Sequence, residues 1–114
     1  MICQICKEEM PFKKNDGEYY FEEREILSRD HLPKEHEAQH LALCPLCAAK
    51  YKYFILNPKN DKEQLRIIDE LKQAEIGALS IPISLGETKT TLRFVETHLA
   101  DLKTILETLD TDHD

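Results

Sequence analysis

Two cysteine pairs, each with two residues between its members, constrain this chain more than any other sequence feature. Cys3 and Cys6 lie in "CQIC" at the start of the chain, and Cys44 and Cys47 lie in "CPLC". Pairs of thiols at this spacing are typical ligands of zinc, and four of them complete a tetrahedral site. The sequence therefore predicts one structural Zn²⁺ that joins two segments far apart along the chain.

The rest of the composition agrees with a zinc-binding domain in a reducing compartment. The chain has 114 residues, which suits one domain better than two. No apolar run approaches the roughly 20 residues of a membrane span, and a cysteine pair stands where a secretory signal would carry its apolar segment. We therefore expect a cytoplasmic protein with no membrane partner, in which metal ligation is favoured over disulfides or unliganded thiols.

The charge of the chain counts against nonspecific binding to a phosphate backbone. Its formal net charge is −7, and a zinc ion with four thiolates would add about two negative charges. The acidic excess is concentrated after Leu56. The cysteine-bearing half is therefore the part that could present a basic face.

The first half has the element order of a treble-clef zinc site. After the first cysteine pair, the turn signal "NDG" and the strand formers of "EYYFEEREIL" predict a hairpin with the segment around Phe12. Residues 28–40 read as a loop with at most a short helical turn. A helix then begins at Pro45, and Cys47, Ala48 and Tyr51 recur on one face. A closed four-cysteine site leaves no position for substrate, so its metal would be structural.

The second half predicts a helix, a hairpin and a final helix. Asn60 and Glu63 resemble a capping box for a helix ending near Glu75, whose apolar stripe would be Leu65, Ile68 and Leu71. "ALSIPISL" and "TKTTLRFV" alternate as two strands of a second hairpin, and Thr97 can cap the last helix. The predicted fold class is α+β: a treble-clef zinc module over 1–56, extended by a helix, β-hairpin and C-terminal helix over 57–114 that pack on it as one domain.

The motifs of the first half resemble the cysteine-bearing branch of the HNH endonucleases. "CQIC", Glu22 in "YYFEE", and "LCPLC" correspond to a family pattern of C-x-x-C, Y-x-E-x-H-H-I and N-x-x-x-L-C-P-x-C-H. The resemblance implies a structural zinc beside a catalytic metal ion and a histidine base. Aligned on these motifs, the catalytic histidine pair falls on Arg24 and Glu25, and the asparagine on Gln39. The later histidines fall on Ala48 and Lys52.

These departures predict that catalysis has been lost. Arg24 and Lys52 would repel a divalent cation, and Ala48 has no donor atom. Glu25 without a metal ion to acidify water would be a poor base at neutral pH. We therefore expect no catalytic residues and a recognition module for nucleic acid or a protein partner. Two alternatives stay open: a metal-dependent nuclease with unconventional active-site residues, and a purely structural protein-interaction domain.

Three cations are the candidate contact residues of such a module. Arg24, Lys50 and Lys52, with nearby aromatic residues, could contact phosphate or an acidic partner. The histidines of the loop, His31, His36 and His40, read as solvated side chains rather than as a second metal site. The second half is similar to the C-terminal stretch that follows degenerate zinc modules in larger bacterial multidomain proteins, which implies a larger multidomain context.

Overall fold

The architecture combines two two-stranded antiparallel hairpins with three helices. The computed structural model describes residues 1–33, 35–75, 77–95 and 97–111, with side chains to residue 109. In chain order the elements are β1 (Glu22–Glu25), a 3₁₀ turn (Glu37–Gln39), β2 (His40–Leu43), α1 (Pro45–Phe54), α2 (Lys62–Gln73), β3 (Ser80–Leu85), β4 (Thr88–Arg93) and α3 (His98–Thr111). Within these described ranges, no helix has the length and apolar character needed to cross a membrane.

The first hairpin differs from the prediction in its pairing partner. The turn at "NDG" is present, with Gly17 at a φ of 87°, but its ladder is limited to residues 12–20. The strand β1 instead pairs with β2, in register from Glu22 opposite Leu43 to Glu25 opposite His40. Leu41 and Leu43 are fully buried in β2. This burial favours the pairing of β2 with β1, although residues 26–39 between them contain no two-residue hairpin turn signal.

The helix α1 agrees with its prediction. It begins at Pro45, where the missing amide proton costs no helical hydrogen bond. Cys47, Ala48 and Tyr51 are buried on one face. The Tyr51 hydroxyl donates to the carbonyl of Ile26 at 2.6 Å, so the helix is tied to the residue that follows β1. Burial raises the pKa of Tyr51 far above its ordinary value, and the hydroxyl remains a donor.

The buried face of α2 agrees with the prediction at Leu71 and in part at Ile68, but not at Leu65. Its N-cap is Asp61, and its buried residues are Gln64, Ile67 and Leu71. Leu65, predicted to be inward, is 51% exposed, because it lies about 100° round the helix from Gln64. The predicted capping box is also wrong, since Glu63 accepts from Arg66 and from the amide of Ser84 rather than capping the helix.

The second hairpin forms as predicted. The strands β3 and β4 pair from Ser80 opposite Arg93 to Leu85 opposite Thr88, around a turn in which Gly86 has a φ of 63°. Ile81, Ile83, Leu85 and Leu92 are buried, whereas Leu79, which precedes the strand, is 52% exposed.

The buried side chains form one cluster that includes residues on both sides of Leu56. Three leucines of α3, at positions 99, 102 and 106, are buried in it. The imidazole of His98 at the start of α3 donates from Nε2 to the carbonyl of Ala38 at 2.6 Å. The last helix therefore contacts the 3₁₀ turn that leads into β2.

Candidate metal centre

The four cysteines predicted as ligands come together at one site. The sulfur atoms of Cys3, Cys6, Cys44 and Cys47 all lie within 4.8 Å of one another. Cys6 Sγ and Cys44 Sγ are 3.9 Å apart, far beyond the roughly 2.05 Å of a disulfide bond. Four sulfurs at about 2.3 Å from a tetrahedral metal ion would be separated by about 3.8 Å. The cluster could therefore hold one metal ion.

The first pair is presented by a tight turn of the backbone. The amide of Lys7 donates to the carbonyl of Cys3 at 3.0 Å, and Lys7 has a left-handed φ of 63°. The amide of Ile5 lies 3.5 Å from Cys3 Sγ. An amide aimed at sulfur stabilises a thiolate, which is the form that binds metal.

The second pair is presented by the start of α1. Cys44 is the N-cap of this helix, and its sulfur accepts from the amide of Cys47 at 3.5 Å. The same local geometry that begins the helix therefore orients two of the four ligands.

Burial and hydrogen bonds shift the pKa values of the thiols in different directions. Burial and the neighbouring Cys3 sulfur raise the pKa of the Cys47 thiol well above its ordinary value, and burial also raises the pKa of Cys6. Burial opposes ionisation of Cys3 too, but hydrogen bonds with the backbone of Cys44, Cys6 and Ile5 leave its pKa lowered. A cation that binds these sulfurs would have to displace protons, so its affinity would fall as the pH falls.

Gln4, inside the first cysteine pair, joins both hairpins. Its amide donates to the carbonyl of Ala42 at 3.2 Å, and its Oε1 accepts from the amide of Ala42 at 2.8 Å. Its Nε2 donates to the carbonyl of Arg93, and its own carbonyl accepts from the amide of Arg93, both at 2.8 Å. Lys7 adds a 2.8 Å bond from Nζ to the carbonyl of Thr91. Sequence reasoning missed Gln4, because an isolated glutamine follows no recognisable pattern.

Two of the three predicted contact residues line one groove. Arg24 and Lys52 both border an open groove of about 530 Å³ beside α1, and Lys50 is exposed but does not line it. The Arg24 guanidinium is oriented by three contacts. Its Nε donates to the carbonyl of Ala48 at 3.2 Å, Nη1 donates to the carbonyl of Glu23 at 2.9 Å, and Nη2 is 3.6 Å from a carboxylate oxygen of Glu22.

The other positions that the sequence singled out lie away from this groove. Glu25 pairs with Arg29 at 3.0 Å. Gln39 is fully buried and donates from Nε2 to the carbonyl of Leu27 at 3.1 Å, while its Oε1 has no hydrogen-bond partner within the described part of the chain.

The loop histidines differ from the prediction at His31. Its Nε2 lies 2.8 Å from both carboxylate oxygens of Asp61, and only 18% of the side chain is exposed. Proximity of the loop to the start of α2 creates this pair, which the sequence alone does not reveal. His36 is exposed, and His40 lies 3.8 Å from Glu23 and 3.6 Å from Glu35.

The cysteine cluster stands alone as a potential metal site in the described ranges. No other group of three or more histidine, cysteine or acidic side chains there has a geometry that could hold an ion. Comparison with protein-family models, curated proteins and solved structures found no match for this chain. Function is therefore inferred from the geometry of this centre and of the groove beside α1.

Proposed function

We propose that this chain is a zinc-stabilised recognition module, related to the HNH nucleases and without their catalysis. The observation that carries the proposal is the meeting of four cysteine sulfurs within 4.8 Å of one another. A set of four thiolates favours zinc among the common divalent ions, and it fills the coordination sphere. Such a metal ion stabilises a fold and activates no water.

The relation to the HNH nucleases is supported by the proximity of three residues that align with catalytic positions of that family. Residues 24, 48 and 52 are those at which the resemblance implies catalytic-metal ligands. Here Arg24 donates to the carbonyl of Ala48, and Arg24 and Lys52 border the same groove. The order of β1, a long connection, β2, and a helix that begins with the second cysteine pair also fits a treble-clef site.

The loss of catalysis is supported by the chemistry of the groove. None of its lining residues is an aspartate, glutamate, histidine or cysteine, so the lining offers no side chain of the kinds that usually bind a catalytic cation. Glu25, the one acidic side chain at an aligned catalytic position, is paired with Arg29. The groove is therefore suited to binding and not to metal-assisted hydrolysis.

We further propose that the zinc module of residues 1–56 and the extension of residues 57–114 fold as one domain. The hydrogen bonds of Gln4 to Arg93 and of His98 to Ala38 cross this boundary. The buried cluster crosses it as well. A hydrophobic core shared in this way couples the stability of the two parts, so that loss of structure in one weakens the other.

Elemental analysis combined with a nuclease assay tests the proposal. We expect one zinc ion per chain, lost in Cys44→Ser and kept in Leu46→Ala, since Leu46 is 63% exposed in the same segment. The zinc-loaded protein should not cleave DNA or RNA in the presence of Mg²⁺ or Mn²⁺. Metal-dependent cleavage that disappears in Glu25→Ala but persists in Glu35→Ala would overturn the proposal in favour of an unconventional nuclease.

A further inference from the structure

The groove beside α1 combines positive charge with apolar surface. It is lined by Arg24, Ala49, Lys52, Tyr53, Leu56, Asn57 and Pro58, and its volume is about 530 Å³. The two cations come from β1 and from the last turn of α1, and the other lining residues are neutral. A ligand that fits this lining must present an anionic group next to an apolar one.

The cations of the groove are available to a ligand. The side chain of Lys52 forms no hydrogen bond or ion pair with any residue that the structure describes. Arg24 is held in place by its bonds to Ala48 and Glu23 and by the Glu22 carboxylate 3.6 Å away, yet a guanidinium has five N–H donors and the two bonds use two of them. A pre-oriented arginine loses less conformational entropy when it binds a carboxylate.

The apolar side of the groove is an exposed aromatic residue. Tyr53 is 71% exposed, and its ring meets that of Phe54 edge to face at 5.0 Å and 86°. Aromatic side chains with this degree of exposure are common anchors of protein interfaces, because a partner gains a large contact area at a small entropic cost.

The charges around the groove favour a short acidic segment over a polynucleotide. A nucleic acid carries a negative charge at every nucleotide, and its neighbouring phosphates would meet Glu22 beside Arg24 on a chain of net charge −7. A peptide can place one or two carboxylates at Arg24 and Lys52 and then turn apolar toward Tyr53.

We propose that the groove binds a segment of a partner protein in which acidic side chains flank an apolar pair. This inference rests on the proposed function, because it names the class of ligand that the recognition module takes. Charge complementarity selects the acidic flanks, and Tyr53 with Leu56 selects the apolar centre.

Fluorescence anisotropy with a designed peptide tests the inference. The probe is a fluorescein-labelled peptide in which Phe-Leu is flanked on each side by two aspartates. The zinc-loaded protein should bind it, and Lys52→Ala and Tyr53→Ala should each weaken binding by about tenfold. Lys50→Ala is the matched control, since it removes the same charge from the same helix outside the groove, and it should change affinity less than about twofold.

Further probes separate the ways in which the inference can fail. Replacing the aspartates, or the Phe-Leu pair, by serines should abolish measurable binding. Equal effects of Lys50→Ala and Lys52→Ala, or tighter binding of a labelled oligothymidylate that depends on Lys52, would overturn the peptide inference. Absence of peptide binding by a zinc-loaded, inactive protein would likewise overturn it and leave the proposed function standing. Loss of zinc stoichiometry or detection of nuclease activity would instead overturn the proposed function.

Discussion

The two hairpins of this protein are held together by different means. The strands β1 and β2 are separated by residues 26–39. The end of β2 leads directly into Cys44, and Gln4 of the first cysteine pair bonds Ala42 of β2. The strands β3 and β4 are joined by a turn of two residues, Gly86 and Glu87. Closing a long loop costs more conformational entropy than closing a tight turn, so a metal ion bound by the four cysteines would contribute more to the first hairpin than to the second.

The second hairpin is instead stabilised by side chains that cover its edges. On β3, the carbonyl of Pro82 accepts from Arg66 at 2.8 Å, and the amide of Ser84 donates to Glu63 at 2.6 Å. On β4, Gln4 bonds both backbone groups of Arg93. These bonds occupy groups that would otherwise be free to pair with another strand. The proposed metal ion and a set of polar side chains would therefore stabilise two small sheets by different interactions.

Removal of the proposed metal ion should have the largest effect, and it should destabilise the first hairpin more than the second. Structural zinc contributes roughly 10–16 kcal/mol of apparent binding free energy in zinc-finger peptides, so chelation or Cys47→Ser should unfold β1, β2 and α1. Hydrogen exchange should show a larger loss of protection at Arg24 and Leu41 than at Ile81 and Leu92. Equal loss at both hairpins would mean that the second one also depends on the metal.

The next largest effect should come from the residue that the two hairpins share. Gln4→Ala removes two side-chain hydrogen bonds and should lower the free energy of unfolding by about 1–3 kcal/mol while zinc binding is retained. Chemical denaturation measures the change, and the exposed Gln73→Ala is the control, with an expected effect below about 0.5 kcal/mol. A result for Gln4→Ala no larger than that of Gln73→Ala would contradict the bridging role.

Protonation of Glu63 at low pH should weaken a contact of the second hairpin and leave the first hairpin unchanged. Although burial opposes ionisation of Glu63, hydrogen bonds from Arg66 and from the Ser84 amide leave its pKa lowered. Its stabilising contribution is therefore present above the pKa of the unfolded chain and is lost as the pH falls through the lower folded pKa.

Glu63→Gln should accordingly cost about 1 kcal/mol near neutral pH and progressively less in acid. Urea denaturation at several pH values measures this difference, with Glu87→Gln in the exposed turn as the control. A cost that stays constant down to about pH 3 would exclude the charge of Glu63 as its source.

An effect similar in size to that of Glu63→Gln is expected in the tight turn itself. An alanine at Gly86 would have a left-handed φ of 63° and a Cβ 2.8 Å from Cε1 of Phe54, whereas one at Gly77 would have a φ of 89° and no atom within 4 Å. We expect Gly86→Ala to lower the free energy of unfolding by about 1–2 kcal/mol. Gly77→Ala should cost slightly less, and thermal denaturation of both separates backbone strain from the contact with Phe54. An equal loss would show that the Phe54 ring moves aside freely.

The sequence could predict those elements of the fold that local signals mark. The start of α1 at Pro45 and the second hairpin depend on a helix-initiating residue, a two-residue turn and alternation within a few positions. The pairing of β1 with β2 was not predictable in this way. Residues 26–39 have no turn signal, and β2 has only four residues, too few to establish a periodicity.

The same division applies to the candidate site. Spacing alone identified Cys3, Cys6, Cys44 and Cys47, because two close pairs are a strong local pattern for one metal ion. Gln4 could not be found from sequence, since its four bonds join residues that are neighbours only after folding.

The sequence by itself determined which four thiols are candidate metal ligands and where α1 begins, because both depend on residue types within a few positions of one another. Only the tertiary structure decided which cations share a groove. Lys50 and Lys52 look alike in the sequence, but two residues along a helix turn a side chain by about 200°, and Lys52 alone of the two lies on the side that meets Arg24. That selection follows from how α1 packs on β1, which depends on contacts between segments distant in the chain.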